Sequence, residues 1–172
     1  MHRIDRNLSR HRALVPLKYD NAPLNYLWRT YPVKPSINHL KYKDLPQVVR
    51  GHGIVNQPIA SKGVGAKSLH SGITHMPPRT AVPIHSHNAE EQVTILEGTM
   101  KIILDGDREV ICGQYDSTFI SAGVTHELIN DTDEPVLAMV IYGSSNVNRT
   151  FTKTGEVVDV GSDDDKFTGD RA

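Results

Sequence analysis

The stretch PIHSHNAEEQVTILEG, residues 83–98, sets two histidines on either side of one serine, an acidic pair three residues later, and then a strand-forming run that ends in Glu-Gly. Side chains alternate faces along a strand, so His85 and His87 point the same way. Their Cα atoms then lie roughly 6.6 Å apart, at about 3.3 Å per residue, and two imidazoles converge on one point from that distance. Glu91 shares their parity, as do Val93 and Ile95. The inward face therefore reads His, His, Glu, Val, Ile, polar at one end and apolar toward the other, as the mouth of a barrel grades into its core. Glu90 has the opposite parity and is expected to face solvent or a neighbouring strand. Imidazole and carboxylate ligands suit zinc, iron, nickel, copper or manganese. Spacing alone leaves two readings open, a metal site or a pair of surface histidines, because His-x-His arises often by chance.

Outward from this stretch, short β-rich runs alternate with turn signals from about residue 64 to 152. They include AKSLHSGITHM, TAVPIHSH, TMKIILDG, REVICG, DSTFISAG, THELIND, PVLAMVIYG and NRTFTKTG. Leu104-Asp105-Gly106-Asp107 joins two of them as a hairpin, with Asp-Gly supplying the positive φ that such turns need. Many short strands without intervening helices predict a sandwich or barrel. No helix-turn-helix pattern is visible.

The stretch also resembles the first motif of the cupin family: His-x-His, three residues, Glu, six residues, Gly. His85, His87, Glu91 and Gly98 meet each spacing. YDSTFISAGVTHELIN resembles the later part of the second cupin motif, with Gly123, His126 and Asn130 in register. It departs at Tyr115, where glycine is usual, and at Ser121, where proline is usual; both are positions that shape a turn or strand. The resemblance covers about residues 64–145. It implies an all-β, antiparallel jelly-roll barrel and one divalent transition metal (Fe, Zn, Ni or Mn) held by His85, His87, Glu91 and His126. Asn130, a motif residue, is read as satisfying backbone groups at a strand end. Cupins host many unrelated reactions, so the resemblance bears on fold and metal more than on chemistry.

The remaining sequence bounds the answer. The chain has 172 residues and a formal net charge of −1, which suits one β domain and argues against an electrostatic grip on nucleic acid or an anionic membrane. Residues 1–62 are proline-rich and read as an extended arm that packs on the barrel or a partner through Tyr26, Leu27, Trp28 and Tyr31. The opening, with Arg3, Arg6, Arg10 and Arg12, lacks the apolar region of a secretory signal. Residues 63–152 are expected to form the barrel and 153–172 an acidic, solvated tail. Cys112 is the only cysteine and is read as inert packing, which fits a cytoplasmic protein. A homodimer is expected, as small cupins commonly pair.

Two classes of function follow. Three neutral histidines and one carboxylate leave a divalent ion with open positions for a small chelating substrate. Iron would support a dioxygenase-like reaction, favoured by analogy with cupins of this ligand set. Zinc, nickel or manganese would support Lewis-acid isomerase, decarboxylase or lyase chemistry. The alternative is a barrel that binds a small molecule without turning it over. His75, Tyr142 and Glu90 are the candidate acid–base groups, with His75 and Tyr142 preferred as catalytic residues; His70, His39 and His52 are expected to be structural or at the surface.

Overall fold

A computed structural model describes residues 37–167 of the chain. The alternation read from the sequence becomes twelve strands: β1 (Val48–Gly51), β2 (Ile54–Pro58), β3 (His70–Met76), β4 (Thr80–His87), β5 (Glu91–Glu97), β6 (Met100–Leu104), β7 (Arg108–Cys112), β8 (Ser117–Ile120), β9 (His126–Asn130), β10 (Val136–Tyr142), β11 (Asn148–Phe151) and β12 (Val157–Asp159). They form two six-stranded sheets, ordered β1-β2-β3-β10-β5-β8 and β12-β11-β4-β9-β6-β7, with antiparallel pairing throughout. This is the jelly-roll barrel that the sequence predicts.

The two inner faces are apolar at one end and polar at the other. Met76, Val82, Ile95, Met100, Ile102, Leu128, Val136 and Ala138 belong to one buried cluster. Cys112 joins it, with Sγ 3.3 Å from Thr118 Oγ1, as expected of an inert core thiol. Toward the other end the same register brings charged groups inward. On the first sheet Tyr142 stands opposite both His70 and Glu91. On the second, His85 stands opposite His126 and Phe151, and His87 opposite Arg149.

The turns follow the local chemistry of the chain. The β6–β7 hairpin places Asp105 at φ 52° and Gly106 at φ 89°, as its Asp-Gly pair predicts. Gly98 turns at φ 84°, and a Cβ there would meet Pro135 O at 2.6 Å, so the position admits only glycine without backbone movement. Asn130 is fully buried. Its amide donates to the carbonyls of Met76, Pro77 and Glu134 at 2.9–3.2 Å, and its Oδ1 accepts from Thr132. It thus satisfies backbone groups at the strand end, as read from the sequence.

The strands begin before residue 63 and continue past residue 152, so the barrel limits expected from sequence are too narrow at both ends. Residues 48–58, read as part of the arm, form β1 and β2, and β2 pairs with β3 from Val55↔His75 to Pro58↔Gly72. His52 and Gly53, both at positive φ, make the tight turn between them. The tail is not wholly solvated either. β12 pairs with β11, and Asp165 and Phe167 have no exposed surface. The cause is a buried ionic group: Asp165 Oδ1 pairs with Arg149 Nη1, and Asp165 Oδ2 lies 3.5 Å from Arg50 Nη1. Arg149 also stacks over Phe167, 4.9 Å from its centroid. Two buried guanidiniums require a counter-charge, and the tail brings it. The arm residues Tyr26, Leu27, Trp28 and Tyr31 and the arginines at 3, 6, 10 and 12 lie outside the described residues, as do residues 168–172.

Two outcomes follow from these features. Asp165→Ala strips the counter-ion from two buried arginines and is expected to cost about 3–5 kcal/mol in urea unfolding, while Asp163→Ala, at an exposed neighbour, stays within about 0.5 kcal/mol. An equal effect at both positions would contradict the role assigned to Asp165. Tyr115, 76 % exposed, sits at φ 71°, in the left-handed region that costs a side chain roughly 1–2 kcal/mol. Tyr115→Gly removes that strain and adds unfolded-chain entropy, so a net gain of up to about 1 kcal/mol is expected in the same assay.

Candidate metal centre

Three strands supply the four ligands, two from one sheet and one from the other. His85 and His87 come from the end of β4, His126 from the start of β9, and Glu91 from the start of β5 across the barrel. The chain therefore changes sheets within Asn88–Glu90, which carries the two halves of the quoted stretch to opposite walls. Asn88 fixes that crossing: its amide donates to Asn146 O at 3.0 Å and its Oδ1 accepts from Asn148 N at 2.8 Å. Glu90 is exposed, and its backbone carbonyl accepts from Gly143 N.

A bulge aims the histidines. Val82 pairs with Leu128 and His85 with His126, so Pro83 and Ile84 together oppose a single residue. The extra residue shifts the parity, and Val82 and His85 both face inward despite their odd separation. Proline, which has no N–H for the ladder, suits such a position. It also presents its carbonyl: His85 Nδ1 lies 2.6 Å from Pro83 O. His126 repeats the arrangement, with Nδ1 3.0 Å from Val124 O, and His87 Nδ1 lies 2.6 Å from Asn148 O. A carbonyl only accepts, so each imidazole carries its proton on Nδ1 and turns a bare Nε2 lone pair inward.

Those lone pairs meet the carboxylate. One ligand atom from each of His85, His87, Glu91 and His126 lies within 4.8 Å of the others, and none of the four residues is more than 4 % exposed. His87 Nε2, His126 Nε2 and Glu91 Oε2 are buried without a hydrogen-bond partner. Glu91 Oε2 stands 2.8 Å from His126 Nε2 and 3.5 Å from His87 Nε2. The shorter distance does not make a hydrogen bond, because the His126 proton is on the other nitrogen. Converging acceptors that do not satisfy one another are costly unless a cation lies between them. The donor set fits a divalent transition metal.

The protonation states agree with ligation. Burial, reinforced by His126, Arg149 and His87, holds His85 well below the usual imidazole range. Burial lowers His87 to about 4, against the opposing pull of Glu91. For Glu91 burial works upward, yet the positive charge gathered around the carboxyl, Arg149 included, holds it below its usual range. Neutral imidazoles and an ionised carboxylate are the forms that bind metal.

Tyr142 completes the wall. It is buried, its ring meets His87 edge-on at 4.8 Å, and it lines the same small space as Glu91 and Arg149. Burial, then the Glu91 charge, push its pKa well above the usual phenol range, so the proton stays on Oη. His75, by contrast, is not brought to the site. It shares parity with Ser71 and Ile73, whereas His70, Gly72 and Thr74 face Tyr142, Val140 and Ala138 across the inner register. Its Nε2 lies 2.8 Å from both Tyr42 Oη and Gln57 Oε1 on the outer face. The acid–base role expected of it is corrected to a structural one. His39 and His52 are exposed, as expected.

Sequence reading missed Arg149 and Arg50. Arg149 had a signal, since it shares inward parity with Phe151 in NRTF and a charge at such a position needs a buried partner. Arg50 had none, lying in a segment read as an arm.

The metal-free protein is expected to lose stability in mild acid. His87 has its folded pKa depressed from 6.5 to about 4, so the unfolded chain takes up the proton first. The stability it contributes is complete above about pH 6.5 and is lost as pH falls toward 4, on the order of 3 kcal/mol from this group. Urea unfolding of chelator-treated protein across that window measures it, and a flat profile would contradict the buried neutral imidazole.

Known proteins bear on this arrangement. Residues 72–142 match the family model described as the cupin domain. No curated protein matches the chain. Among solved structures, the polyketide cyclase RemF from Streptomyces resistomycificus is similar at TM-score 0.60 and 19 % identity, over 77 % of this chain and 91 % of that one. An RmlC-like cupin from Shewanella frigidimarina gives 0.56 and 15 %, over 63 % and 92 %. KdgF from Halomonas sp. gives 0.55 and 10 %, over 63 % and 94 %. At these identities the likeness is one of fold. Both motifs lie in or beside the matching segment, and the two-sheet barrel around them has the fold of these cupin structures.

Proposed function

We propose that the protein is a metal-dependent enzyme that acts on a small organic anion by Lewis-acid and proton-transfer chemistry. The observation that carries this reading is the convergence of partnerless ligand atoms from His87, Glu91 and His126, with His85, beside the protonated phenol of Tyr142. A divalent ion held by these four residues would polarise a substrate oxygen and stabilise developing negative charge.

The chain's own groups support the rest. Arg149 and Glu91 line the small space beside Tyr142. Tyr142 is then placed to donate a proton to a substrate atom that gains electron density. Val82, Leu128, Val140 and Phe167 line the same small space and give it an apolar side. Buried charges also favour an anion. Arg50 and Arg149 balance Asp165 and Glu91, so a divalent ion would add positive charge to the site.

The space lined by His85, Glu91 and Tyr142 is about 20 Å³, enough for about one water. A single substrate oxygen fits it, which supports isomerisation, decarboxylation or lyase chemistry as the first reading and the dioxygenase-like reaction as the second. The homodimer and the cytoplasmic location belong to the same proposal.

The test combines metal analysis with turnover. Plasma mass spectrometry of untagged protein should find near-stoichiometric zinc, nickel, manganese or iron, lost in a His85→Ala/His87→Ala double variant. Small carboxylates, screened with enolisable or β-keto acids first, should turn over without oxygen uptake. Tyr142→Phe should retain metal and lower kcat by about 10²–10⁴-fold. Stoichiometric iron with substrate-dependent oxygen uptake would instead establish the dioxygenase-like reading, and ligand binding without any turnover would leave a binding barrel.

A further inference from the structure

A second, larger cavity of about 230 Å³ lies beside the metal centre. Its walls come from β1, β2, β3 and β10, with the turns at 61–63 and 159–161. Asn56, Thr74, Val140 and Tyr142 line both this cavity and the small space at the ligands, so a molecule in the larger one rests against the wall of the smaller. Its volume equals that of about seven or eight waters, below the range of drug-sized pockets. It suits a compact metabolite.

Arg50 lines this cavity and is 2 % exposed. Only its Nη1 is used by the protein, toward Ser162 O at 3.1 Å and Asp165 O at 2.9 Å, with Asp165 Oδ2 at 3.5 Å. Its Nε is buried with no hydrogen-bond partner, and Nη2 has none among the described residues. Nε–H and Nη2–H form the side edge of the guanidinium, two parallel donors that match the two oxygens of a carboxylate. Nη2 and the His70 ring both flank Gly161, where a Cβ would stand 3.9 Å from Nη2 and 3.7 Å from His70 Cε1. Asn56 Oδ1 is also buried without a partner and lines the same cavity, an acceptor for a hydroxyl or amide hydrogen of a ligand. Lys62 adds positive charge at the rim, and the exposed Asp159 carboxylate is the one acidic group in the lining.

We infer that this cavity is the recognition site for a small organic carboxylate, which Arg50 grips bidentately through Nε–H and Nη2–H while the rest of the molecule extends past Asn56 toward Tyr142. The inference rests on the metal-centre reading for what happens at the far end of the ligand, and on the cavity alone for the binding itself. The substrate is accordingly bifunctional, with a carboxylate held at Arg50 and a separate oxygen presented to the metal. Burial, then the charges of Arg50 and Lys62, keep His70 neutral, so it can join the site as a hydrogen-bond partner without its own counter-ion.

Butyrate and benzoate, each beside its amide, are the probes. They are titrated into the full chain in metal-loaded and chelator-treated form, with affinity read by calorimetry and the Arg50 Nε–H followed by ¹⁵N NMR. At least one carboxylate should bind both forms, move the Arg50 Nε–H resonance downfield, and exceed its amide in affinity by about tenfold or more. Arg50→Lys keeps a charge but loses the paired donors and should weaken binding by about tenfold. Lys62→Ala, at an exposed position that leaves the fold untouched, should weaken it by about two- to threefold. Equal affinity for acid and amide, or an unmoved Nε–H resonance in wild type, would overturn the inference even if the Arg50 variant fails to fold. Binding confined to the metal-loaded form would overturn it too, since the carboxylate would then be chelating the ion. Carboxylate binding in a protein that holds no metal would uphold it and refute the metal-centre reading instead.

Discussion

Three hydrogen bonds to backbone carbonyls determine what this barrel can do. Pro83, Asn148 and Val124 each present an oxygen to one Nδ1, and each thereby fixes a tautomer and a ring direction. Without them the imidazoles would be free to hydrogen-bond Glu91, and the site would collapse into a neutral polar cluster. With them, the Nε2 lone pairs and the Glu91 carboxylate face one another with no proton to share. Folding energy is therefore held against the site, and a cation that enters relieves an existing conflict between acceptors.

The second constraint is the pair of buried arginines. Arg50 comes from the first strand, Arg149 from the eleventh, and Asp165 from beyond the last. One aspartate joins segments more than a hundred residues apart in sequence, which closes the barrel end around the site. The same aspartate pairs with Arg149, which lines the small space beside Glu91 and Tyr142. The tail thus anchors a wall of the candidate site.

What the sequence disclosed follows from how local each signal is. The His-x-His pair, Glu91 and the Asp105-Gly106 hairpin are fixed by neighbours within a few residues, and parity or turn chemistry reads them directly. The bulge at Pro83–Ile84 was hidden, yet the outcome survived because it falls before His85 and leaves the His85–His87 spacing intact. β1, β2 and β12 were missed because their pairing partners, β3 and β11, make strands of short segments that look like arm and tail on their own. Asp165 sits in GSDDDKF, where a run of acids reads as solvated unless one knows that two arginines from elsewhere await one of them. His75 misled for the opposite reason. Its position near a strand end suggested the site, but alternation in β3 sends it to the outer face, where Tyr42 and Gln57 hold it.

The division of space inside the barrel carries the argument one step further. A site with about 20 Å³ at the metal ligands cannot select among substrates by shape, since almost any oxygen donor fits. On the proposed reading, selection comes from the adjoining cavity of about 230 Å³, whose buried charge is Arg50. Asn56, Thr74, Val140 and Tyr142 form the wall between the two spaces. Specificity in this chain would accordingly be changed at β1, β2 and the 159–161 turn, which lie outside both cupin motifs, while the metal chemistry stays with the residues inside them. A barrel so divided could change the ligand it selects without disturbing the His85, His87, Glu91 and His126 cluster, which is the physical reason that the motifs bear on the fold and leave the substrate unwritten.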